Sequence, residues 1–110
     1  MPLPNCERAI IAEAKLRDYL LSPTHREGAP KAKFFSALGF DRTNLSELHD
    51  QLLLIACSGE IVKREQFRFG EKFVVNGQLS SPIRGGISLT TIWVVDIGST
   101  LPRFVTAYPL

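Results

Sequence analysis

The sequence lacks the short motifs that mark most cofactor-dependent and metal-dependent enzymes. It has no G-x-G-x-x-G, P-loop or G-x-S-x-G pattern, and its carboxylates form no D-x-D or E-x-x-H group. Its two cysteines and two histidines do not have the spacing of a zinc site. These absences argue against nucleotide-driven, serine-hydrolase and metal-assisted chemistry, so we expect no cofactor and no metal.

Cysteine is scarce, and no segment resembles a targeting or membrane sequence. Cys6 and Cys57 allow one disulfide by arithmetic, but we expect two reduced, buried thiols. The N-terminus lacks the basic and apolar regions of a signal peptide. No uncharged apolar run exceeds the six residues 52–57, which is far shorter than a membrane span. We therefore expect a cytoplasmic protein that makes no membrane contact.

Strong charge of either sign is also missing. The 110 residues include 13 Lys and Arg against 11 Asp and Glu, which gives a net charge of +2. That balance does not by itself indicate nucleic-acid binding. The length fits one domain, 1–110, with a helical part over 1–59 and a sheet over 60–110.

The first third of the chain carries a helical pattern that two prolines divide. Residues 9–12 are apolar and fit either an edge strand or the approach to a helix. From Glu13 onward, Leu16, Tyr19 and Leu20 fall on one helical stripe, which ends before Pro23.

Two further helices follow. Pro30 is suited to the first turn of the second helix, and Gly39 is suited to the position just past its end. Asn44 followed by Glu47 predicts a capping box at the start of the third helix, which ends at Gly59.

After Gly59 the apolar period changes from that of a helix to that of a strand. Four strands are predicted over residues 61–69, 72–79, 86–97 and 103–108. Short connections containing Gly or Pro predict antiparallel hairpins. The fold class is therefore α+β, with about three N-terminal helices packed on one face of a C-terminal four-stranded antiparallel meander.

The last hairpin yields a more detailed prediction. Pairing Ile97 with Pro102 places six residues on one sheet face, namely Thr91, Trp93, Val95, Phe104, Thr106 and Tyr108. The opposite face then carries Ile92, Val94, Val105 and Ala107. Because the second set is purely apolar, we expect it to lie beneath the helices and the first set to face solvent or a ligand.

His25 is the strongest candidate for chemistry, because imidazoles change protonation near neutral pH and this one lies in a loop broken by Gly28 and Pro30. The alternative is a solvated histidine that helps cap the next helix. Lys31 and Lys33, in the first turn of that helix, fit either a phosphate site or a solvated surface.

The remaining candidates are polar groups on the predicted sheet. Arg84 and Arg103 could contact phosphate, Thr91, Thr106 and Tyr108 could donate hydrogen bonds to it, and Trp93 could stack on a base. Strand propensity alone also accounts for these threonines and aromatic residues. His49, beside the apolar stripe of the third helix, is predicted to be structural or exposed.

The assembled segments resemble an uncharacterised bacterial domain family. The likeness lies in residues 15–25 (KLRDYLLSPTH), 28–35 (GAPKAKFF), 38–40 (LGF), 91–93 (TIW) and 102–109 (PRFVTAYP), which together span nearly the whole chain. More remotely, the order of elements and the positions of His, Lys, Thr and Tyr are similar to the barnase/EndoU/colicin/RelE ribonuclease superfamily, whose members are metal-independent and include many toxins.

That resemblance implies attack of a ribose 2′-hydroxyl on the adjacent phosphate. His25 would be the base or the acid, Lys31 the electrostatic clamp, and Thr106 with Tyr108 the positioning donors. Thr91, Trp93, Arg84 and Arg103 would bind the RNA. The alternative is a non-catalytic module, such as an immunity or antitoxin partner of a protein encoded by a neighbouring gene.

Overall fold

A meander of four antiparallel strands, covered on one face by helices, makes up the fold. The computed structural model describes residues 2–26 and 28–110. The strands lie side by side in chain order. They are β1 (Glu60–Phe67), β2 (Gly70–Ser81), β3 (Gly85–Asp96) and β4 (Arg103–Pro109). The α+β class and the meander predicted from the change of period are both confirmed.

The first predicted helix is α-helical for only one turn. Helix α1 (Glu13–Lys15) continues into a π-helical turn (Leu16–Leu20), in which the Leu21 N–H donates to the Leu16 carbonyl over 2.8 Å. A π turn adds one residue per turn and changes where the following side chains point. The apolar stripe predicts the segment but does not distinguish this turn from an α-helix.

Helix α2 (Ala29–Ala37) has Pro30 in its first turn and ends as predicted at Gly39, which has a φ of 93°. The Gly39 N–H donates to the Ser36 carbonyl, and the Phe40 N–H donates to the Phe35 carbonyl, each over 3.0 Å. This pair of bonds satisfies carbonyls that the helix end leaves open.

Helix α3 (Leu45–Ser58) begins and ends where predicted, but its start is capped differently. The capping box predicted for Asn44 and Glu47 is wrong, because Asn44 makes no side-chain cap to α3. Asp41 instead accepts from the Thr43 N–H over 2.8 Å, while Asn44 accepts from the Asp41 N–H over 2.8 Å. The box therefore closes the short 3₁₀ turn (Arg42–Asn44) that precedes α3.

The core lies between α3, the π turn, α2 and one face of the sheet. Leu48, Leu52 and Ile55 of α3 and Phe35 of α2 are fully buried in one cluster with inner-face residues of the sheet. Those sheet residues are Phe73, Val75, Leu89, Trp93, Phe104 and Ala107. The periodicity of α3 predicts its buried face correctly.

The face prediction for the last hairpin is wrong. Thr91 pairs with Ala107 and Trp93 pairs with Phe104, with a bulge between Ile92 and Trp93. The observed register differs from the predicted one by one residue at Thr91 and by two beyond the bulge, so Thr106 and Tyr108 lie on the face opposite Thr91 and Trp93. The helices pack against the face that carries Trp93, Phe104 and Ala107, and Ile92 with Val94 lies on the outer face.

The expectation of two reduced thiols is also wrong. Cys6 lies in a 3₁₀ turn (Cys6–Arg8), Cys57 lies in the last turn of α3, and a disulfide joins them. The N-terminal segment continues past this link to β4. Ile10 forms a parallel bridge to Arg103, so residues 9–12 pair with the sheet edge at this one position, as in the first of the two predicted alternatives. No helix in the described ranges combines the length and the apolar composition that a bilayer crossing requires.

Candidate functional site

A cleft of about 760 Å³ runs between the first helix and the exposed edge of β4. The helical wall comes from α1 and the π turn, the floor comes from β4, and the loop before α2 closes one side. Polar and apolar side chains line it, among them Lys15, Asp18, Tyr19, His25, Val105 and Thr106. The cleft thus contains the leading sequence candidate and one of its predicted partners on β4.

Tyr19 connects the groups in this cleft. Its hydroxyl lies 3.2 Å from Thr106 Oγ1, so the two form a hydrogen bond in which either can donate. Its ring meets the His25 ring edge to face, with 5.1 Å between the centroids. The Nζ of Lys15 lies 5.2 Å from the centre of the Tyr19 ring, within the range of a cation–π contact.

The loop that carries His25 is fixed by several hydrogen bonds. The His25 N–H donates to Ser22 Oγ over 3.1 Å, and the His25 carbonyl accepts from the Ala29 N–H over 2.8 Å. The imidazole Nδ1 accepts from the Gly28 N–H over 3.0 Å. Gly28 itself sits so close to the π turn that a Cβ there would collide with the Tyr19 carbonyl oxygen. Glycine is therefore required at this position.

Lys31 lies close to the far end of β4. Its Nζ donates to the Ala107 carbonyl over 3.5 Å and lies 5.4 Å from the centre of the Tyr108 ring. Thr106 and Tyr108 are two positions apart on one strand, which places them roughly 7 Å from each other on the same face. The two cation–tyrosine pairs, Lys15 with Tyr19 and Lys31 with Tyr108, therefore flank Thr106. Lys33 is exposed on α2.

The cleft also contains a carboxylate whose charge is balanced. Arg17 donates two hydrogen bonds of 3.1 Å to Asp18. The guanidinium holds the pKa of the Asp18 carboxyl below its ordinary value, and the carboxyl in turn raises the pKa of Arg17. Because Arg17 also bridges to Glu13 over 3.2 Å, this cluster has two carboxylates against one guanidinium, and Lys15 on the Tyr19 ring adds a second cation.

Lys31 and Tyr108 do not line the cleft, and neither do Thr91, Trp93, Arg84 and Arg103. Thr91 and Trp93 are fully buried in the core, where Trp93 Nε1 donates to Thr91 Oγ1 and that hydroxyl donates to the Val75 carbonyl, each over 2.8 Å. The prediction that they face a ligand is wrong, because the helices pack against the sheet face that carries them. They hold the core instead.

Arg84 lies in the β2–β3 turn, six positions along β3 from Thr90, the partner of Tyr108, and so roughly 20 Å beyond it. Arg103 is bound to Asp96 by two hydrogen bonds of 2.8 and 3.1 Å. His49 lies on α3, where its Nδ1 is 3.2 Å from Asp50 Oδ1.

Among the described residues, the one group with the geometry of metal ligands is Cys6, Glu7 and Cys57, and its two sulfurs form the disulfide. The cleft offers an imidazole, hydroxyls and an ammonium group. This combination is suited to binding an anion and donating hydrogen bonds to it.

The sequence suggests His25, Lys31, Thr106 and Tyr108 as site residues but does not indicate Tyr19, which contacts His25 and Thr106. Tyr19 appears in the sequence only as a member of an apolar helical stripe. The feature that could have indicated a role for Tyr19 is its hydroxyl, because the polar tip of a largely buried tyrosine needs a hydrogen-bond partner. Gly28 was missed as well, since a glycine in a loop does not reveal which backbone it approaches.

Comparisons with known proteins give two results. The family model described as "Domain of unknown function (DUF6883)" matches residues 2–110. A chain from a contact-dependent growth inhibition toxin–immunity protein complex of Klebsiella pneumoniae 342 has a similar structure, with a TM-score of 0.73. It is 15% identical in sequence, and the alignment covers 94% of this chain and 95% of that one. At this identity the likeness concerns the fold. A search of curated protein sequences finds no match.

Proposed function

Since the chain belongs to the DUF6883 family of unknown function, we propose an activity from its cleft, namely metal-independent cleavage of RNA phosphodiesters by a toxin-related domain. The observation that carries this proposal is the convergence of His25, Tyr19 and Thr106 in one open cleft lined by Lys15, with Lys31 beside Tyr108 farther along the same strand. The structural neighbour comes from a toxin–immunity complex, which supports a toxin system as the setting.

The reaction needs groups of the kinds that line this cleft. The 2′-oxygen of a ribose bonds to phosphorus as the bond from phosphorus to the 5′-oxygen breaks, which gives a 2′,3′-cyclic phosphate and a 5′-hydroxyl. The 2′-proton must be accepted, and the leaving oxygen must gain one. Lysines and hydroxyl donors stabilise the negative charge that accumulates on the phosphate oxygens during the exchange. In this proposal Lys15 and Lys31 supply charge, and Tyr19, Thr106 and Tyr108 position the phosphate.

The test is cleavage of fluorogenic and structured RNAs in the presence of EDTA. His25→Ala should lower the rate by about 100-fold or more, because a positioned acid–base or donor group typically contributes that much. His49→Ala is the matched control, since it removes the other histidine from α3 and should leave the rate unchanged. Absence of cleavage by the wild type, or equal loss in both variants, would refute the proposal.

A second candidate function is a non-catalytic partner in a toxin–immunity pair, and a different surface favours it. Phe67, Phe69 and Ile97 are 41%, 60% and 75% exposed, and exposed apolar side chains that form a contiguous patch mark interaction sites. They lie together at one end of the sheet, because the Ile97 N–H donates to the Phe69 carbonyl over 3.0 Å and the two phenylalanine rings contact each other.

This alternative is tested by co-purification with the protein encoded by the neighbouring gene. Phe69→Ser with Ile97→Ser should abolish the complex. Ile83→Ser is the matched control, because Ile83 is 67% exposed at the opposite end of the sheet, in the β2–β3 turn. Binding that survives both changes would refute a role for this surface.

A further inference from the structure

The hydrogen bond between Gly28 and His25 restricts what the imidazole can do. Gly28 donates its backbone N–H to Nδ1 over 3.0 Å, so Nδ1 presents a lone pair and carries no proton. The neutral ring then has its proton on Nε2, since one ring nitrogen donates and the other accepts. The identity of the partner at Nδ1 thus sets the tautomer.

The backbone around His25 fixes the hydrogen bond between Gly28 and Nδ1. The loop is tied at both ends by the bonds from His25 N–H to Ser22 and from Ala29 N–H to the His25 carbonyl. Gly28 is pressed against the Tyr19 carbonyl with no room for a side chain, and the Tyr19 ring packs edge to face against the imidazole. The Gly28 N–H therefore has a fixed position relative to the ring.

We propose that His25 contributes to the reaction as a hydrogen-bond donor through Nε2–H, and that Gly28 is the positioning residue that holds it in this form. The proposal rests on the ribonuclease activity proposed above. A general base must offer a lone pair to the 2′-hydroxyl, yet the lone pair of Nδ1 is engaged by Gly28 and Nε2 bears hydrogen. Donation to a phosphate oxygen leaves the protonation of both ring nitrogens unchanged. In this scheme solvent water accepts the 2′-proton and supplies the proton that the leaving 5′-oxygen gains.

Substitution at His25 separates donation from proton transfer. In His25→Gln the side-chain amide nitrogen reaches the position of Nε2, so it can donate a hydrogen bond but cannot shuttle a proton. In His25→Asn the amide oxygen can accept from Gly28 at the position of Nδ1, but no donor reaches the phosphate. We expect His25→Gln to retain activity within about 10-fold of the wild type, while His25→Asn and His25→Ala lose about 100-fold. A Gln variant as inactive as the Ala variant overturns the proposal.

A spectroscopic measurement tests the tautomer without reference to activity. Long-range ¹H–¹⁵N spectra of histidine-labelled protein near pH 8, where an ordinary imidazole is neutral, should give the Nε2–H pattern for His25. His49 serves as the internal reference, and Gly28→Ala should shift His25 toward a mixture of tautomers. An Nδ1–H pattern in the wild type overturns this inference alone. A wild type that cleaves no RNA overturns the proposed function, and the catalytic role of His25 with it.

Discussion

Reduction of the Cys6–Cys57 disulfide should remove a large part of the stability of this protein. The link joins positions 51 residues apart, and it restricts the unfolded chain far more than the folded one. The chain-entropy relation gives about 4 kcal/mol for a loop of this length at room temperature. Small domains have total stabilities of about 5–15 kcal/mol, so the loss is a substantial fraction.

Other contacts hold the same N-terminal segment in place. Leu3 is buried and donates its N–H to the Ala56 carbonyl over 3.0 Å, and Ile10 bonds to the chain on either side of Arg103. We therefore expect the reduced protein to fold, but with a lower free energy of unfolding.

The assay is guanidinium unfolding with and without a phosphine reductant. With a denaturant slope of roughly 3 kcal/mol/M, the midpoint should fall by about 1 M on reduction. The control is the double variant Cys6→Ala, Cys57→Ala, whose midpoint should match that of the reduced wild type and should not respond to reductant. Equal midpoints for the oxidised and reduced wild type would show that the reasoning is wrong.

Three further predictions concern the core, a turn and the sheet edge. Thr91→Val should cost about 1–3 kcal/mol, because it leaves the Trp93 indole N–H without an acceptor in the core. Ser81→Ala should cost about 1–3 kcal/mol, because the buried Ser81 hydroxyl donates to a helix carbonyl and accepts two turn N–H groups. Arg103 holds the pKa of Asp96 below its ordinary value, chiefly through its hydrogen bonds. The pair therefore stabilises the fold above the unfolded pKa of aspartate, about 3.9, and this contribution is lost as pH falls through the folded value. Arg103→Gln should thus lower the melting temperature at neutral pH, and the difference should shrink as the pH falls below the unfolded pKa of aspartate.

Each of these has a matched control or a contradicting result. Exposed Thr100→Val and Ser80→Ala should each change the free energy of unfolding by less than about 0.5 kcal/mol. Chemical denaturation measures the free energy of unfolding of these variants and their controls. If Thr91→Val or Ser81→Ala is as stable as its control, the assigned hydrogen bonds are contradicted. Thermal melts across pH measure the third, and a difference between Arg103→Gln and wild type that does not depend on pH would contradict the role of the ion pair.

The candidate site could be predicted only in part. His25 is recognisable from its residue type and its Gly/Pro-rich loop, and Lys31 from its place at a helix start. Tyr19 and Gly28 could not be found in this way, because their roles depend on partners that are distant in sequence or on a close approach of two backbones.

The sequence by itself determines the elements of this protein and their order. The three helices and the four-stranded meander follow from local sterics and hydrogen bonding. These act through the change from a helical to an alternating apolar period, through Pro30 and Gly39, and through the turn glycines. Local interactions do not determine how these elements pack against one another. The tertiary structure decides which face of the last hairpin is buried, because the helices pack against the face of Trp93 and Phe104 and a bulge puts Thr106 and Tyr108 on the other face, with no change in strand propensity. It also decides that Cys6 meets Cys57 and that Tyr19 reaches Thr106, because packing brings together residues that no local pattern relates.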